Sequence, residues 1–259
     1  MCVLKRTFVL YWRPVEMNTT ADKTRVRPGG AAGARKARGD RTRQAILEVA
    51  VHVASAEGLE GLTIGRLASE LSMSKSGLFA HFGSKEELQL STVEEARDIF
   101  IREVIRPSFE AARGLPRLWK LCDVWLAYVK SEVFRGGCFF AAAAAEFDGR
   151  PGPVRDRVAG IMKEWLDLLR GSIKEAREAG QLKADTDPAQ LAFELNALEM
   201  GANWAFQLYG DRQAFARARA ATLERLRRHS TASGSPLLPQ PGKGRGVRAP
   251  RTRRGQSQT

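Results

Sequence analysis

Apolar side chains recur at helical spacing along most of this chain. They do so in Ile46, Val49, Ala50, Val53 and Ala54, then in Leu115, Leu118, Trp119, Cys122, Trp125, Leu126 and Val129, and again in Val154, Val158, Ile161, Met162, Trp165, Leu168 and Leu169. Each run lays one apolar stripe along a helix. Punctuating residues separate the runs. Gly58 closes the first helix, and Ser84 with Glu87 has capping-box spacing for a helix that should end near Pro107. Pro116 suits a first turn, and Asp148 to Pro153 is a cluster of breakers. Gly180 ends a long helix, Asp187 and Pro188 read as N-cap and first residue, and Gly210 with Asp211 separates the last two helices. The pattern predicts an all-α protein of about nine helices with no strand and no internal repeat.

The flanks lack this periodicity. Residues 18–40 are rich in Gly, Ala, Arg and Lys, and residues 230–259 in Ser, Pro, Gly and Arg. Such compositions bury too little apolar surface to offset the entropy of folding, so both read as disordered. The organisation expected is a disordered basic arm over 1–40, a short helical domain over 41–88, a larger helical domain over 89–229 and a disordered basic tail over 230–259. Met1 and Met17 are both candidate starts, and the apolar stretch Phe8 to Trp12 is too short for a signal peptide.

Charge adds a partner class. The chain carries a formal net charge of +13, which makes a polyanion, nucleic acid before membrane surface, the first expectation. Much of the excess sits in the flanks, so solubilising tails are the alternative reading. Hydrophobic residues make up 43% and charged residues 27%, and no apolar run reaches the roughly 18 residues that a membrane span needs. No membrane partner is therefore expected, and the reading is of a cytoplasmic protein. Cys2, Cys122 and Cys138 form neither an even set nor a Cys-x-x-Cys pair. With only three His in the chain, no metal or other cofactor is expected.

The most informative stretch is Gly61 to Leu88. Thr63 can cap a short helix whose Ile64, Leu67, Ala68 and Leu71 face inward, and small Ala68 allows a second helix to cross closely. A turn follows at Ser72 and Met73. Ser74 then caps another short helix in which Leu78 and Phe82 face the core, leaving Lys75, Ser76, Gly77, Phe79 and His81 outside. Two short helices joined by a tight turn make a helix-turn-helix spanning about 63–82, whose second helix enters the DNA major groove.

Residues 41–88 resemble the DNA-binding domain of TetR-family regulators. The resemblance rests on Gly58, Thr63, Leu67, Ala68, Met73, Ser74, Leu78, Phe79, His81, Phe82 and Lys85 at the family's spacing. Departures are Ser72 in place of the usual turn Gly, Ser76 where Gly is common, Phe79 in place of Tyr, and Ala54 where a bulky aromatic is frequent. Without the Tyr hydroxyl, one phosphate hydrogen bond that the resemblance implies has no donor at Phe79. The resemblance implies phosphate contacts from Thr63, Ser74, His81 and Lys85, and base-edge proximity for Lys75, Ser76, Gly77 and Phe79. A Lys can donate to guanine, small residues let the helix approach, and an aromatic edge can meet a thymine methyl. Lys85 at a helix start opposes the dipole, which an anionic ligand would explain, although a simply solvated Lys also fits. The Arg-rich arm before residue 44 is a further candidate for phosphate or minor-groove contact.

Beyond residue 90 the resemblance covers an all-helical layout and, loosely, Gly136 to Phe140, Glu146 to Val154 and Gly180 to Pro188. The helix from about Pro188 to Tyr209 is apolar around nearly its whole circumference, with Leu191, Phe193, Leu195, Leu198, Met200, Trp204, Phe206 and Leu208. A partner subunit is the simplest cover for so much apolar surface. Trp119, Trp125, Tyr128, Phe139, Trp165, Asn196 and Asn203 are candidate walls of an effector pocket, each also readable as core. Cys138 is a candidate thiol sensor or a small buried residue.

No catalytic constellation accompanies these features: there is no Gly-x-Ser-x-Gly, no P-loop and no Glu-x-x-His pair. The expectation is a sequence-specific, ligand-responsive repressor. It would bind a double-stranded operator as a homodimer, answer to an unknown small-molecule effector and have no enzymatic activity. A general nucleic-acid binder without sequence preference is the alternative.

Overall fold

The computed structural model describes residues 31–240, which fall into two compact units. The first unit holds the described residues up to Asp98 together with Ala142–Gly171. It contains α1 (Ala31–Glu57), α2 (Ile64–Glu70), α3 (Lys75–Phe82), nearly all of α4 (Lys85–Phe100), the end of α7 (Phe139–Phe147) and much of α8 (Pro153–Glu178). Ile46, Leu47, Ala50 and Val51 of α1 are buried in its core, with Leu62, Leu67, Leu78, Phe82 and Leu88. Of the α1 run read from the sequence, Ile46, Ala50, Val53 and Ala54 are buried and Val49 is half-buried, while Leu47 and Val51 join the core outside that reading. The cap residues behave as read: Gly58 follows α1 at φ +86°, and the amide of Glu87 donates to Ser84 Oγ at 3.0 Å.

The helix α1 starts earlier than expected. Ala31 to Asp40 are helical, where the composition suggested a disordered arm. Ala, Arg and Lys are strong helix formers, so a packed segment from Ile46 onward can propagate the helix backward without a core of its own. Arg35, Lys36, Arg38 and Arg41 are exposed along this extension. The part of the proposed arm before residue 31 lies outside the described residues.

The second unit comprises Ile99–Ala141 and the described residues from Ser172 onward. It holds a π-helical turn (Ile101–Ile105), α5 (Arg106–Phe109), α6 (Leu115–Lys130), the end of α8, α9 (Pro188–Tyr209) and α10 (Ala214–His229). The helix that should stop near Pro107 instead continues through it. Pro lacks the N–H that an α-helix requires, and the wide turn just before it, closed by the Arg106 amide on the Ile101 carbonyl, accommodates the residue. At α6, Gly114 adopts φ +86°, and the Gln181 side chain accepts from the Leu115 amide at 2.7 Å. A Cβ on Gly114 would stand 2.3 Å from that Gln181 oxygen, so only Gly fits. Asp187 caps α9 and left-handed Gly210 ends it, as read from the sequence.

Residues 230–240 are likewise not a free tail. The Lys183 amide donates to the His229 carbonyl at 2.8 Å and the Thr231 amide to the Gln181 carbonyl at 3.1 Å. Leu238 is buried and a short 3-10 turn spans Ser235–Leu237. Their Ser and Pro content suggested disorder, but these backbone groups find partners in the turn after α8. Residues 241–259 lie outside the described residues. Among the described residues there is no strand, only a bridge between Leu182 and Ser230. None of their helices is long and apolar enough to cross a membrane.

Candidate nucleic-acid interface

Two capped helices build the site. Thr63 is extended, and its Oγ1 accepts from the Arg66 amide at 3.1 Å, starting α2. Ser74 does the same for α3, accepting from the Gly77 amide at 3.1 Å. Between them the Met73 amide donates to the Ala68 carbonyl at 2.9 Å, and Ser72 sits at φ +52°. An L-residue in this left-handed region is disfavoured by roughly 1–2 kcal/mol, which is why a Gly is expected here. Glycine carries an entropic cost of roughly 0.5–1 kcal/mol in the unfolded chain. Ser72→Gly should therefore raise stability by about 0.5–1 kcal/mol, read as a higher urea midpoint with an unchanged slope. A lower midpoint would show that the serine hydroxyl supports the turn.

The second helix divides its residues cleanly. Leu78 and Phe82 are 0% and 4% exposed and lock α3 to the core, whereas Phe79 is 52% exposed. Lys75 and Ser76 are exposed, and Gly77 and His81 are half-buried. A Cβ on Gly77 would lie 3.0 Å from Ser74 Oγ, so a side chain here would crowd the cap. A Cβ on Gly65 would stand 3.4 Å from Lys75 Cε, so the Lys75 stem runs over α2 where that helix lacks a side chain. Of the four residues singled out for base-edge proximity, Lys75, Ser76 and Phe79 are exposed on one short, anchored helix, and Gly77 is half-buried.

Charge pairs frame this surface. Arg66 binds Glu57 at 2.7 Å and Glu70 at 2.7 Å; the Arg66 hydrogen bond holds the Glu57 carboxyl below its usual range. Arg43 lies over the Phe82 ring at 4.8 Å and donates to Ser91 Oγ at 2.7 Å, so it ties α1 to the end of α3 and to α4. Lys85 donates to Glu60 Oε1 at 2.7 Å, and Gln89 donates to the Leu59 carbonyl at 2.9 Å. The Lys85 hydrogen bond is the main cause that keeps the Glu60 carboxyl low. The partner of Lys85 could not be read from sequence, because its 25-residue separation follows no local repeat. Glu146 was missed for the same reason: it accepts from the amides of Leu59 and Glu60, 87 and 86 residues away.

In the second unit, Trp119, Trp125, Tyr128 and Phe139 are buried. Tyr128 meets Phe100 and Phe134 edge to face at centroid distances of 5.7 and 6.1 Å, and its buried hydroxyl has no hydrogen-bond partner. Asn203 Oδ1 accepts from the Cys138 amide at 2.9 Å, and Asn196 is half-buried. Trp165 belongs to the first unit. Burial pushes the Cys138 thiol up to about 11, so it lacks the thiolate that a redox sensor uses. On α9, Leu191, Leu195, Glu199 and Asn203 face inward, while Phe193, Trp204, Leu208 and Tyr209 are exposed.

Comparison with known proteins agrees with this geometry. Residues 46–91 match the family model for bacterial regulatory proteins of the tetR family, and residues 114–222 match the tetracyclin repressor-like C-terminal domain. The HTH-type transcriptional repressor DhaR of Mycobacterium sp. strain GP1 is 25% identical over 161 residues, covering 62% of this chain and 79% of DhaR. A TetR transcriptional regulator from Chloroflexus aurantiacus J-10-FL superposes with a TM-score of 0.71 at 21% identity, covering 75% of this chain and 98% of that one. AibR, solved in complex with isovaleryl coenzyme A and operator DNA, gives a TM-score of 0.57 at 20% identity, covering 73% and 97%. With two family models that together span more than half of its length and the all-α architecture in common, the chain belongs to the TetR family of DNA-binding transcriptional regulators.

Proposed function

We propose that the chain is a ligand-responsive transcriptional repressor that binds a two-fold operator as a homodimer in the cytoplasm. The observation that carries this reading is the outward set Lys75, Ser76 and Phe79 on an α3 whose opposite side is locked by Leu78 and Phe82. Residues 41–88 form the DNA-binding domain and residues 89–229 the ligand-binding and dimerisation domain. Lys75, Ser76, Gly77 and Phe79 approach base edges, and Thr63, Ser74, His81 and Lys85 meet phosphates. Thr63 and Ser74 use an oxygen lone pair for capping and keep an O–H to donate. Lys85 has two N–H groups beyond the one on Glu60.

The exposed side of α9 supports the dimer. Phe193, Trp204 and Leu208 share one helix face with Ala197, Met200 and Gly201, an apolar stripe whose small members let a second helix approach closely. An effector in the helical domain is supported by the aromatic surroundings and unpartnered hydroxyl of Tyr128, and by the complex in which AibR was solved. Effector binding would favour a dimer whose recognition helices are wrongly spaced for the operator.

The test is a titration against the chain's own upstream DNA and a scrambled duplex at near-physiological salt. Preference for the upstream DNA supports the repressor reading. Equal binding to both and to other candidate operators would favour the general binder, which the net charge of +13 accommodates. The helical extension of α1 adds a separate expectation. Replacing Arg35, Lys36 and Arg38 with Gln should flatten the dependence of log affinity on log salt by up to about 0.9 per lost phosphate contact. An unchanged slope would make the extension a merely solvated face.

A further inference from the structure

We propose that Glu146 is a positioning residue for DNA binding: by holding the turn between α1 and α2 it fixes Glu60, and through Glu60 it fixes the ammonium of Lys85. This rests on the reading above that Lys85 meets a phosphate.

The geometry forms a chain of contacts within the first unit. Glu146 Oε2 accepts from the Leu59 amide at 2.7 Å, and Oε1 from the Glu60 amide at 2.8 Å. Gly58, at φ +86°, completes the cradle, since a Cβ there would stand 3.0 Å from the same carboxylate. Leu59 and Leu62 anchor the apolar side of the turn, at 1% and 0% exposure. On the polar side, the amides of Leu59 and Glu60 both donate to Glu146. The Glu60 side chain then binds Lys85 at 2.7 Å and Gln89 at 3.3 Å, with Arg150 at 3.8 Å.

Consequences follow for Lys85. Its side chain is 40% exposed, and a Lys side chain open to solvent normally samples many rotamers. One fixed N–H on Glu60 removes much of that freedom while the others remain free for a phosphate, so less freedom is lost on binding. The ammonium also sits at the start of α4, where the helix dipole disfavours it, and Glu60 offsets that cost. Glu146 itself lies on α7, whose residues up to Ala141 belong to the second unit and whose later residues belong to the first.

The experiment is a salt series of DNA titrations on Glu146→Gln and Glu146→Ala, each also combined with Lys85→Ala, after circular dichroism and thermal melts establish folding. Glu146→Gln keeps one acceptor and serves where the Ala variant does not fold. Removing a carboxylate should by simple charge strengthen DNA binding. The expected result is the opposite, a loss on the order of 5-fold. The salt slope should also flatten by about 0.9 per subunit, or about 1.8 for the two-fold complex, the signature of one lost phosphate contact in each subunit although no cation was removed. Lys85→Ala should then add much less than it does in the native background. Native or tighter binding with the native slope, or a full additional loss from Lys85→Ala, would overturn the proposal. A phosphate contact is independent of sequence, so the slope is read on the scrambled duplex too. Absence of any operator preference would therefore defeat the repressor reading while leaving Glu146 to be decided by the slope.

Discussion

Trp204→Glu combined with Leu208→Glu is expected to break the proposed dimer into monomers and to abolish tight operator binding. Both side chains are largely exposed in the single subunit, at 59% and 60%, so the substitutions should leave its fold intact. A two-fold interface would bury each new carboxylate twice without a partner, at several kcal/mol apiece. The dimer dissociation constant should rise by at least about 1000-fold, at 1.4 kcal/mol per tenfold. Light scattering should then report a mass near 28.6 kDa in place of twice that value. Operator affinity should fall by about 100-fold or more, because two half-sites are no longer engaged by one linked pair. An unchanged dimer with native affinity would remove α9 from the interface. A monomer that still binds the operator normally would break the link between dimerisation and recognition.

Lys75→Ala carries the second large effect. The side chain is exposed at the first position of α3, and its stem runs over α2 beside Gly65. If its ammonium donates to a guanine, each subunit should lose roughly 1–3 kcal/mol of discrimination. In a two-fold complex the loss doubles, giving a drop of at least about 30-fold for the operator. Binding to a scrambled duplex should weaken far less, by no more than one charge contact per subunit. Equal losses on both duplexes would reassign Lys75 to the backbone. No loss on either would show that α3 does not present this residue to DNA.

These two predictions draw on different parts of the chain. The first depends on a helix face that packing leaves uncovered, and the second on a short motif with fixed caps. The Glu146 network lies between them in character, since its residues were visible in the sequence but their association was not.

Features that depend on near neighbours are legible in the chain alone. The apolar spacing of Ile46 to Ala54, the caps at Thr63 and Ser74, and the inward Leu78 and Phe82 are all local in the chain, and local backbone geometry dictates them. The family resemblance and the all-α fold follow from the same short-range pattern. Composition was a poorer guide at the flanks. It marked residues 31–40 and 230–240 as disordered, but helix propensity extends the first and backbone pairing with the turn after α8 holds the second. Only tertiary structure could decide that Lys85 rests on Glu60, that Glu146 clamps a turn 86 residues away, or which side of α9 remains open. Such pairings depend on where whole helices pack, and no periodicity of the chain encodes a hydrogen bond between residues that meet only after the core has formed.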